Sequence, residues 1–144
     1  IILLNDKNEV FVGKRIDNPS NFWQLPQGGV DKNETLLEAA KRELEEETSI
    51  KTVKIISELE EWLTYYLPKN LLGKIWNGNY RGQKQKWFVM KFLGKNDEIN
   101  IKTKKPEFLE WKCIQQSSLS KVVVNFKVDV YKKLYQHLKI LKLN

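Results

Sequence analysis

The chain has 144 residues, 41% of them hydrophobic, a single cysteine (Cys113) and a formal net charge of +7. These values predict one folded domain over residues 1–144, and they exclude a disordered chain, an internal disulfide and, because no apolar run is long enough, a membrane-spanning helix. The lone cysteine favours a reducing compartment, here the cytoplasm, and the positive charge suits an anionic partner such as a polyphosphate or a nucleic acid.

The first part of the chain predicts a β-hairpin followed by a helix. Ile1–Leu4 and Val10–Arg15 are apolar runs on either side of a short polar segment, which is typical of two paired strands. A turn is expected at Asn18–Asn21. A helix is predicted from Glu34 to Thr48, with an acidic residue near its start. Its apolar residues recur at helical spacing: Leu36, Leu37, Ala40 and Leu44.

The rest of the chain predicts strands, one long loop and a final helix. The loop is Pro68–Gln83, and the last helix is expected to begin with Asn125 as its cap. Strands on both sides of a helix, with a second helix at the end, predict an α/β fold, an α/β/α sandwich around a mixed sheet. The expected strands are Val53–Glu58, Glu61–Tyr66, Lys86–Leu93 and Phe108–Ile114. The expected apolar stripe of the last helix is Phe126, Val130, Leu134, Leu138 and Leu141.

The first helix carries an acidic face. Glu43, Glu46 and Glu47 stand at i, i+3 and i+4, so all three carboxylates project from one side. Such a cluster is more stable with a cation bound, and oxygen ligands suit Mg²⁺, Ca²⁺ or Mn²⁺. On spacing alone, such a run is more often a solvated helix surface that pairs with lysines.

The acidic face lies inside a longer pattern. Gly28, five residues, Glu34, seven residues and then Arg42-Glu43-Leu44-x-Glu46-Glu47 resemble the Nudix box, the signature of the Nudix hydrolases. Gly29 follows Gly28 in the loop before the helix, where glycine permits close backbone approach to a ligand. The box usually has a glycine where this chain has Ser49, so the turn at the end of the helix is where the pattern departs.

The resemblance extends over nearly the whole chain. Trp23–Gly29, Gly82–Phe88, Pro106–Trp111 and Val122–Tyr131 are similar to segments of one Nudix subgroup, the bacterial RNA 5′ pyrophosphohydrolases and the closely similar dinucleoside polyphosphate hydrolases. It implies the Nudix α/β/α sandwich and a hydrolase of phosphoanhydride bonds that depends on Mg²⁺, with Mn²⁺ as a possible substitute. The implied reaction removes pyrophosphate or phosphate from 5′-triphosphate or 5′-diphosphate RNA and leaves 5′-monophosphate RNA.

The resemblance also implies roles for the acidic residues. Glu43, Glu46 and Glu47 would hold the metal, and Glu107 would join them from a distant loop. Catalysis is assigned to the same helix, with Glu46 as the first choice of general base and Glu43 and Glu107 next. Glu107 has the alternative interpretation of a surface carboxylate beside a turn proline.

Substrate contacts are expected from three parts of the chain. Arg15 and Phe126 would contact a base, the arginine through its planar cation and the phenylalanine by stacking. Phe126 could instead be core packing, and Lys127 could be a solvated charge. The full set of predicted substrate residues is Arg15, Gln83, Lys84, Lys86, Val124, Phe126 and Lys127.

Other functions remain open at this stage. A dinucleoside polyphosphate hydrolase, acting on diadenosine tetra- or pentaphosphate, would share the same catalytic helix. An RNA-binding module with an inactive Nudix box is a non-enzymatic alternative, although all the box acids are present. The segments at Gln83 and Val124 disfavour a nucleotide-sugar or oxidised-nucleotide hydrolase. No feature of the sequence identifies a protein regulator.

Overall fold

The computed structural model of this chain describes residues 1–17, 21–74 and 79–143. The first three residues of the turn predicted at Asn18–Asn21, and four residues of the predicted loop, lie outside these ranges. Within them, no helix is long and apolar enough to cross a membrane. The strands are β1 (Ile2–Leu4), β2 (Val10–Arg15), β3 (Val53–Glu58), β4 (Leu63–Tyr66), β5 (Gly82–Gln85), β6 (Phe88–Phe92) and β7 (Phe108–Ile114), and the helices are α1 (Leu36–Thr48), α2 (Leu119–Val122) and α3 (Val128–Ile140).

Five strands form a mixed sheet in the order β3-β6-β1-β2-β7. β1 runs parallel to β6, with Ile2 opposite Val89, and every other neighbouring pair in this sheet is antiparallel. β4 and β5 form a separate two-stranded hairpin. The predicted pairing of β1 with β2 is confirmed.

The sheet is covered by helices on both faces. Successive side chains of a strand point to opposite faces, so Leu3 packs in the layer that contains Leu44 of α1. Leu4 packs in the other layer, with Leu134 of α3. Because both faces of β1 are buried, this strand is apolar without alternation. The predicted α/β/α sandwich with a mixed sheet is therefore confirmed.

Helix α1 has defined caps at both ends. Thr35 is the N-cap, and its hydroxyl accepts a hydrogen bond from the backbone nitrogen of Glu38 at 3.1 Å, so the helix begins at Leu36 rather than at Glu34. At the other end Ser49 has φ 68°, the left-handed conformation that usually favours glycine. Ser49 therefore ends the helix as a glycine would.

The predicted start of the last helix and the predicted end of the long loop were also wrong. Asn125 does not cap the last helix: Asn125–Lys127 form a 3₁₀ turn without a side-chain cap, and α3 begins at Val128. The predicted loop Pro68–Gln83 ends in a strand, since β5 begins at Gly82 and pairs with β4. The polar composition of β5 hides it from a search for alternating apolar residues.

One loop is pinned so that it crosses the end of α1. Gly13 of β2 and Gln24 exchange two backbone hydrogen bonds of 2.8 and 2.9 Å. The next residue, Leu25, donates its backbone N–H to the hydroxyl of Tyr131 on α3 at 2.8 Å. These contacts fix the course of the chain just before Gly28.

Candidate active site

The three carboxylates of the acidic face lie in different environments. Glu47 is 5% exposed, Glu43 is half-buried, and the side chain of Glu46 is 59% exposed. Burial raises the pKa of Glu47 to about 8, with the charge of Glu43 adding to the effect, while a 3.3 Å hydrogen bond from the backbone N–H of Gln27 opposes it. Burial also raises the pKa of Glu43. The charged form of Glu47 is therefore disfavoured unless a cation lies beside it.

Arg42 organises the acidic face from its edge. Its guanidinium donates to Glu34 at 2.7 and 3.0 Å, to Glu43 at 2.9 Å and to Glu46 at 3.2 Å. A further bond of 2.8 Å goes to the carbonyl of Gly29, which ties the loop before α1 to the helix. One planar cation thus positions residues across the whole motif, as the fork of donors in arginine permits.

Gly28 leaves room for a catalytic carboxylate. A Cβ atom at this position would overlap the carboxylate of Glu43. Any larger residue would therefore have to displace that carboxylate. The absence of a side chain at Gly28 sets the position of Glu43.

Glu107 faces the same region from the other side of the sheet edge. It is exposed, and its carbonyl accepts a hydrogen bond of 3.0 Å from the backbone nitrogen of Ile16, next to Arg15. Its charge contributes to the raised pKa of both Glu47 and Arg15. The structure thus places Glu107 within electrostatic range of the acidic face.

The carboxylates of this region are the type of ligand that binds a divalent cation. The carboxylates of Glu43, Glu46, Glu47 and Glu107 are hard oxygen ligands, and the buried charge of Glu47 is one that a cation would neutralise. No three carboxylate, histidine or cysteine side chains already stand in a metal-holding arrangement within residues 1–17, 21–74 and 79–143. Arg42 holds two of these carboxylates, so a cation would compete with it for them.

A cavity of about 570 Å³ lies beside the acidic face. We call it the Lys127 cavity. Five of the seven predicted substrate residues line it, although they come from three different parts of the chain. These are Arg15, Gln83, Val124, Phe126 and Lys127, joined by Asp17, Phe22, Trp23, Gln24, Gln27, Tyr65, Leu71 and Val123.

Lys127 is not the solvated charge that one interpretation of the sequence allowed. It is 5% exposed, and its Nζ lies 5.3 Å from the centre of the Tyr65 ring and 3.4 Å from the side-chain oxygen of Gln24. Burial lowers its pKa to about 8, and the nearby charge of Arg15 lowers it further, while Asp17 acts in the opposite sense. Within residues 1–17, 21–74 and 79–143 no carboxylate forms an ion pair with Lys127, and a buried cation of this kind is suited to receive an anion.

Arg15 and Phe126 are both held at the wall of this cavity. Arg15 makes a two-bond pair with Asp17, in which Nε donates at 2.7 Å. The Phe126 ring packs at a tilt against the Tyr65 ring, with centroids 5.6 Å apart. Phe126 therefore contacts the core and lines the cavity at once, so the two interpretations of this residue are compatible.

Glutamine side chains separate this cavity from a second one. The Tyr65 hydroxyl donates to the oxygen of Gln83 at 2.8 Å. The amide of Gln85 donates to the same oxygen at 3.2 Å and to the oxygen of Gln27 at 2.8 Å. Burial raises the pKa of Tyr65 to about 12, so its hydroxyl remains a donor at neutral pH.

The second cavity, of about 580 Å³, lies between α1 and the β4–β5 hairpin. We call it the Trp62 cavity. It contains the other two predicted substrate residues, Lys84 and Lys86, and it shares Gln27 and Gln83 with the Lys127 cavity. Its remaining walls are Ile1, Gly28, Gly29, Val30, Leu36, Ala39, Ala40, Glu43, Trp62, Tyr80, Gly82, Gln85, Trp87 and Phe88.

Sequence reasoning missed several residues of these cavities. Gln27 precedes Gly28 and could have been found from that position, and Asp17 lies two residues after Arg15. Tyr65 and Gln83 face each other across β4 and β5, and this relationship became visible only with the strand register. No feature of the sequence around Trp62 pointed to a place in a cavity.

Comparisons with known proteins agree on one family. A model of the NUDIX domain matches residues 1–137. A protein named RNA pyrophosphohydrolase from Pelagibacter ubique is 60% identical over 96% of this chain and 88% of its own length. Proteins of the same name from Roseobacter denitrificans and Orientia tsutsugamushi are 48% and 44% identical, over 91% and 92% of this chain and 83% and 82% of theirs.

Solved structures share the fold at low sequence identity. The dihydroneopterin triphosphate pyrophosphohydrolase of E. coli is 18% identical, with a TM-score of 0.72 over 94% of this chain and 93% of its own. An Ap4A hydrolase from C. elegans, in a binary complex, is 19% identical, with a TM-score of 0.65 over 96% and 95% of the two chains.

Proposed function

This chain belongs to the NUDIX domain family, and we infer that it is an RNA pyrophosphohydrolase, a hydrolase of phosphoanhydride bonds at the 5′ end of RNA. The observation that carries this conclusion is the identity of 44–60%, over more than nine-tenths of the chain, with proteins of that name. The reaction removes pyrophosphate or phosphate from 5′-triphosphate or 5′-diphosphate RNA and leaves a 5′-monophosphate. We further propose that residues 1–144 form one Nudix domain that acts in the cytoplasm.

Nudix hydrolases generally use a divalent metal, and we propose Mg²⁺, with Mn²⁺ able to replace it. Glu43, Glu46, Glu47 and Glu107 would hold it. When bound, the metal neutralises phosphate charge and lowers the pKa of a coordinated water. Three features support this assignment: the raised pKa of buried Glu47, which a bound cation would lower, the space that Gly28 leaves for Glu43, and the electrostatic reach of Glu107.

We propose Glu46 as the general base that takes a proton from the attacking water. Glu46 is the most exposed carboxylate of the acidic face, so water reaches it, and Arg42 holds its carboxylate at 3.2 Å. A positioned base contributes about 10²–10⁴-fold to such reactions. Glu43 and Glu107 are the next candidates, since Glu43 lies on the same helix and the charge of Glu107 reaches the acidic face.

Each of the two cavities would bind a different part of the substrate. In the Lys127 cavity, Arg15 and Phe126 would stack on a nucleobase beside Val124, while Lys127 and Gln83 would face the polyphosphate. Lys84 and Lys86 would meet further phosphates from the Trp62 cavity. Because Gln83 lines both cavities, a polyphosphate beside it lies close to the carboxylate of Glu43.

A competition assay tests the assignment. Equal amounts of a short 5′-triphosphate RNA and of diadenosine tetraphosphate are mixed with enzyme and Mg²⁺, and the products are resolved by mass. Faster release of pyrophosphate or phosphate from the RNA supports the proposal. Preferential cleavage of the dinucleotide to ATP and AMP would replace it with dinucleoside polyphosphate hydrolysis.

A Glu46→Gln variant separates an enzyme from a binding module. We expect turnover to be lost while RNA binding is largely retained, because the substitution removes a carboxylate and keeps the shape of the side chain. Undiminished turnover would remove Glu46 from the mechanism. An absence of cleavage of either substrate by the wild-type protein would favour a module that only binds RNA.

A further inference from the structure

The outer face of the β4–β5 hairpin carries aromatic and basic side chains. Trp62 and Tyr66 lie on this face with Lys84 and Lys86, because side chains two residues apart on a strand point the same way. Trp62 is 41% exposed and Tyr66 is 70% exposed. The ammonium groups of Lys84 and Lys86 lie 5.1 and 5.9 Å from the centre of the Trp62 ring. A partly exposed indole is thus flanked by two cations.

The cations differ in how far they are already paired. Lys86 pairs with Glu58 at 3.4 Å and donates to the carbonyl of Glu60 at 3.2 Å. Among the described residues no carboxylate pairs with Lys84, whose recorded contact is the Trp62 ring. The neighbouring acid Glu61 is paired with a lysine of α3 at 3.6 Å. The charge beside Trp62 is therefore available to a polyanion mainly through Lys84.

This face continues into the candidate active site. Trp62, Lys84 and Lys86 line the same cavity as Glu43 and Gly28. A substrate whose 5′ phosphates lie at the acidic face therefore has a continuous wall of protein from Glu43 to Trp62. The Lys127 cavity lies on the other side of the glutamine partition, so the nucleobase proposed to bind there and a base at Trp62 would occupy different cavities.

We propose that Trp62 is a stacking platform for a base of the RNA strand beyond its 5′ end, with Lys84 and Lys86 facing the adjoining phosphates. The inference rests on the proposed function, because it takes a 5′-phosphorylated RNA as the substrate. An exposed aromatic ring beside cations is a general recognition element for single-stranded RNA, since every base has a face that stacks. Such a contact makes the enzyme prefer an oligonucleotide to a minimal substrate.

The test compares 5′-triphosphate RNAs of two and eight nucleotides with the same first two bases. For Trp62→Ala, we expect the ratio of kcat/KM on the octamer to kcat/KM on the dinucleotide to fall about tenfold, or about 1.4 kcal/mol, mostly through KM. Trp62→Phe should restore most of the ratio, because it keeps an aromatic face. Urea denaturation of each variant checks that the fold is intact.

Charge reversal supplies a matched control. Lys84 and Lys139 both lie over an aromatic ring, at 5.1 Å from Trp62 and 5.0 Å from Tyr135, but Lys139 is on α3 and lines neither cavity of the site. Lys84→Glu should lower the ratio, and Lys139→Glu should leave it at the wild-type value. Equal effects of Lys84→Glu and Lys139→Glu would show that only net charge matters. That result would overturn the proposal that Trp62 is a stacking platform.

Failure of the inference and failure of the proposed function give different results. A Trp62→Ala ratio equal to the wild-type ratio overturns the platform while RNA hydrolysis stands. If the wild-type protein cleaves diadenosine tetraphosphate and neither RNA, the proposed function fails. Binding of a 5′-monophosphate octamer then decides the inference: affinity about tenfold weaker for Trp62→Ala supports stacking, and equal affinity overturns it.

Discussion

Arg42 and Glu34, eight residues apart, are joined by two hydrogen bonds: Nε donates to Oε2 at 2.7 Å and an Nη group donates to Oε1 at 3.0 Å. This pair holds the pKa of Glu34 below its usual range. The same guanidinium extends to Glu43 and Glu46, so an ion pair at the start of the motif fixes carboxylates a full turn or more away. Only a planar fork of donors can make all these bonds together.

Arg42→Lys is therefore expected to impair the site while keeping the charge. Lysine can make one of these contacts but not the set, so Glu43 and Glu46 lose their common anchor. We expect kcat on triphosphate RNA to fall at least about tenfold and the free energy of unfolding to fall by about 1–2 kcal/mol. Steady-state kinetics and urea denaturation measure the two effects. Lys41→Arg on the same helix is the control, and a wild-type kcat for Arg42→Lys would contradict the anchoring role.

Gly28→Ala tests whether the lack of a side chain at Gly28 positions the carboxylate of Glu43, with little effect on the stability of the fold. The added methyl group would overlap the carboxylate of Glu43, which is the flexible end of its side chain. Glu43 can move away at little cost, so we expect unfolding free energy within about 1 kcal/mol of wild type and kcat lower by about tenfold or more. Gly29→Ala, where a Cβ meets no atom within 4 Å, is the matched control. Equal activities of the two variants would show that Gly28 does not position Glu43.

Ser49 stands at a left-handed position, where a residue with a Cβ is strained by about 1–2 kcal/mol. Its hydroxyl offsets part of this by donating to the carbonyl of Asn100 at 2.8 Å. Ser49→Ala keeps the strain and loses the bond, so we expect a loss of about 1 kcal/mol of unfolding free energy. Ser49→Gly loses the bond and relieves the strain, so it should be nearly neutral. Both values come from urea denaturation, and a Gly variant less stable than the Ala variant would contradict this account.

Tyr65→Phe tests the partition between the two cavities. The substitution removes the hydroxyl that donates to Gln83 at 2.8 Å and leaves the ring that packs on Phe126. Gln83 would then be less well ordered at the proposed polyphosphate site. A neutral hydrogen bond contributes about 0.5–1.5 kcal/mol, so we expect KM for triphosphate RNA to rise about two- to tenfold with little change in kcat. An unchanged KM would place Gln83 outside substrate binding.

The periodic spacing of apolar residues was sufficient to predict the two long helices and the first hairpin. The apolar positions of α1, the stripe of α3 and the hairpin of β1 and β2 repeat at helical or strand spacing, and the structure places them as expected. The boundaries were less well predicted: Thr35 caps α1, so the helix begins at Leu36 rather than at Glu34, and Lys127 precedes α3 without a side-chain cap. Caps depend on which side chain reaches a backbone N–H, which spacing does not specify.

The walls of the two cavities depend on distant pairings, so sequence reasoning found them incompletely. Tyr65 meets Gln83 only because β4 and β5 pair in one register. Trp62 and Glu43 line one cavity although they lie far apart in the chain. The burial of Lys127 follows from the 3₁₀ turn before α3, a feature that its charge argued against.

The buried Lys127 makes substrate binding depend on pH. Its pKa is about 8 in the folded protein, against 10.5 ordinarily, because burial and Arg15 disfavour the charged form, while Asp17 favours it. If the ammonium group receives a phosphate, KM for triphosphate RNA should rise as the pH increases through 8, by up to about tenfold per pH unit above it. Lys127→Arg, which stays charged, should show no such rise. Parallel pH profiles for the two proteins would contradict the assignment of this phosphate contact.

The same shift predicts how stability varies with pH. Between pH 8 and 10.5 the unfolded chain keeps the proton on Lys127 and the folded chain has lost it, so the unfolded state binds more protons and the free energy of unfolding rises with pH. Between pH 7.5 and pH 10 the gain relative to Lys127→Met should be about 2 kcal/mol. Urea denaturation of both proteins at pH 7.5 and pH 10 measures it. Tyr65 faces Lys127 but titrates only near pH 12, so it does not disturb the comparison. A difference between the two proteins that stays constant over this range would show that Lys127 is not held as a destabilised cation.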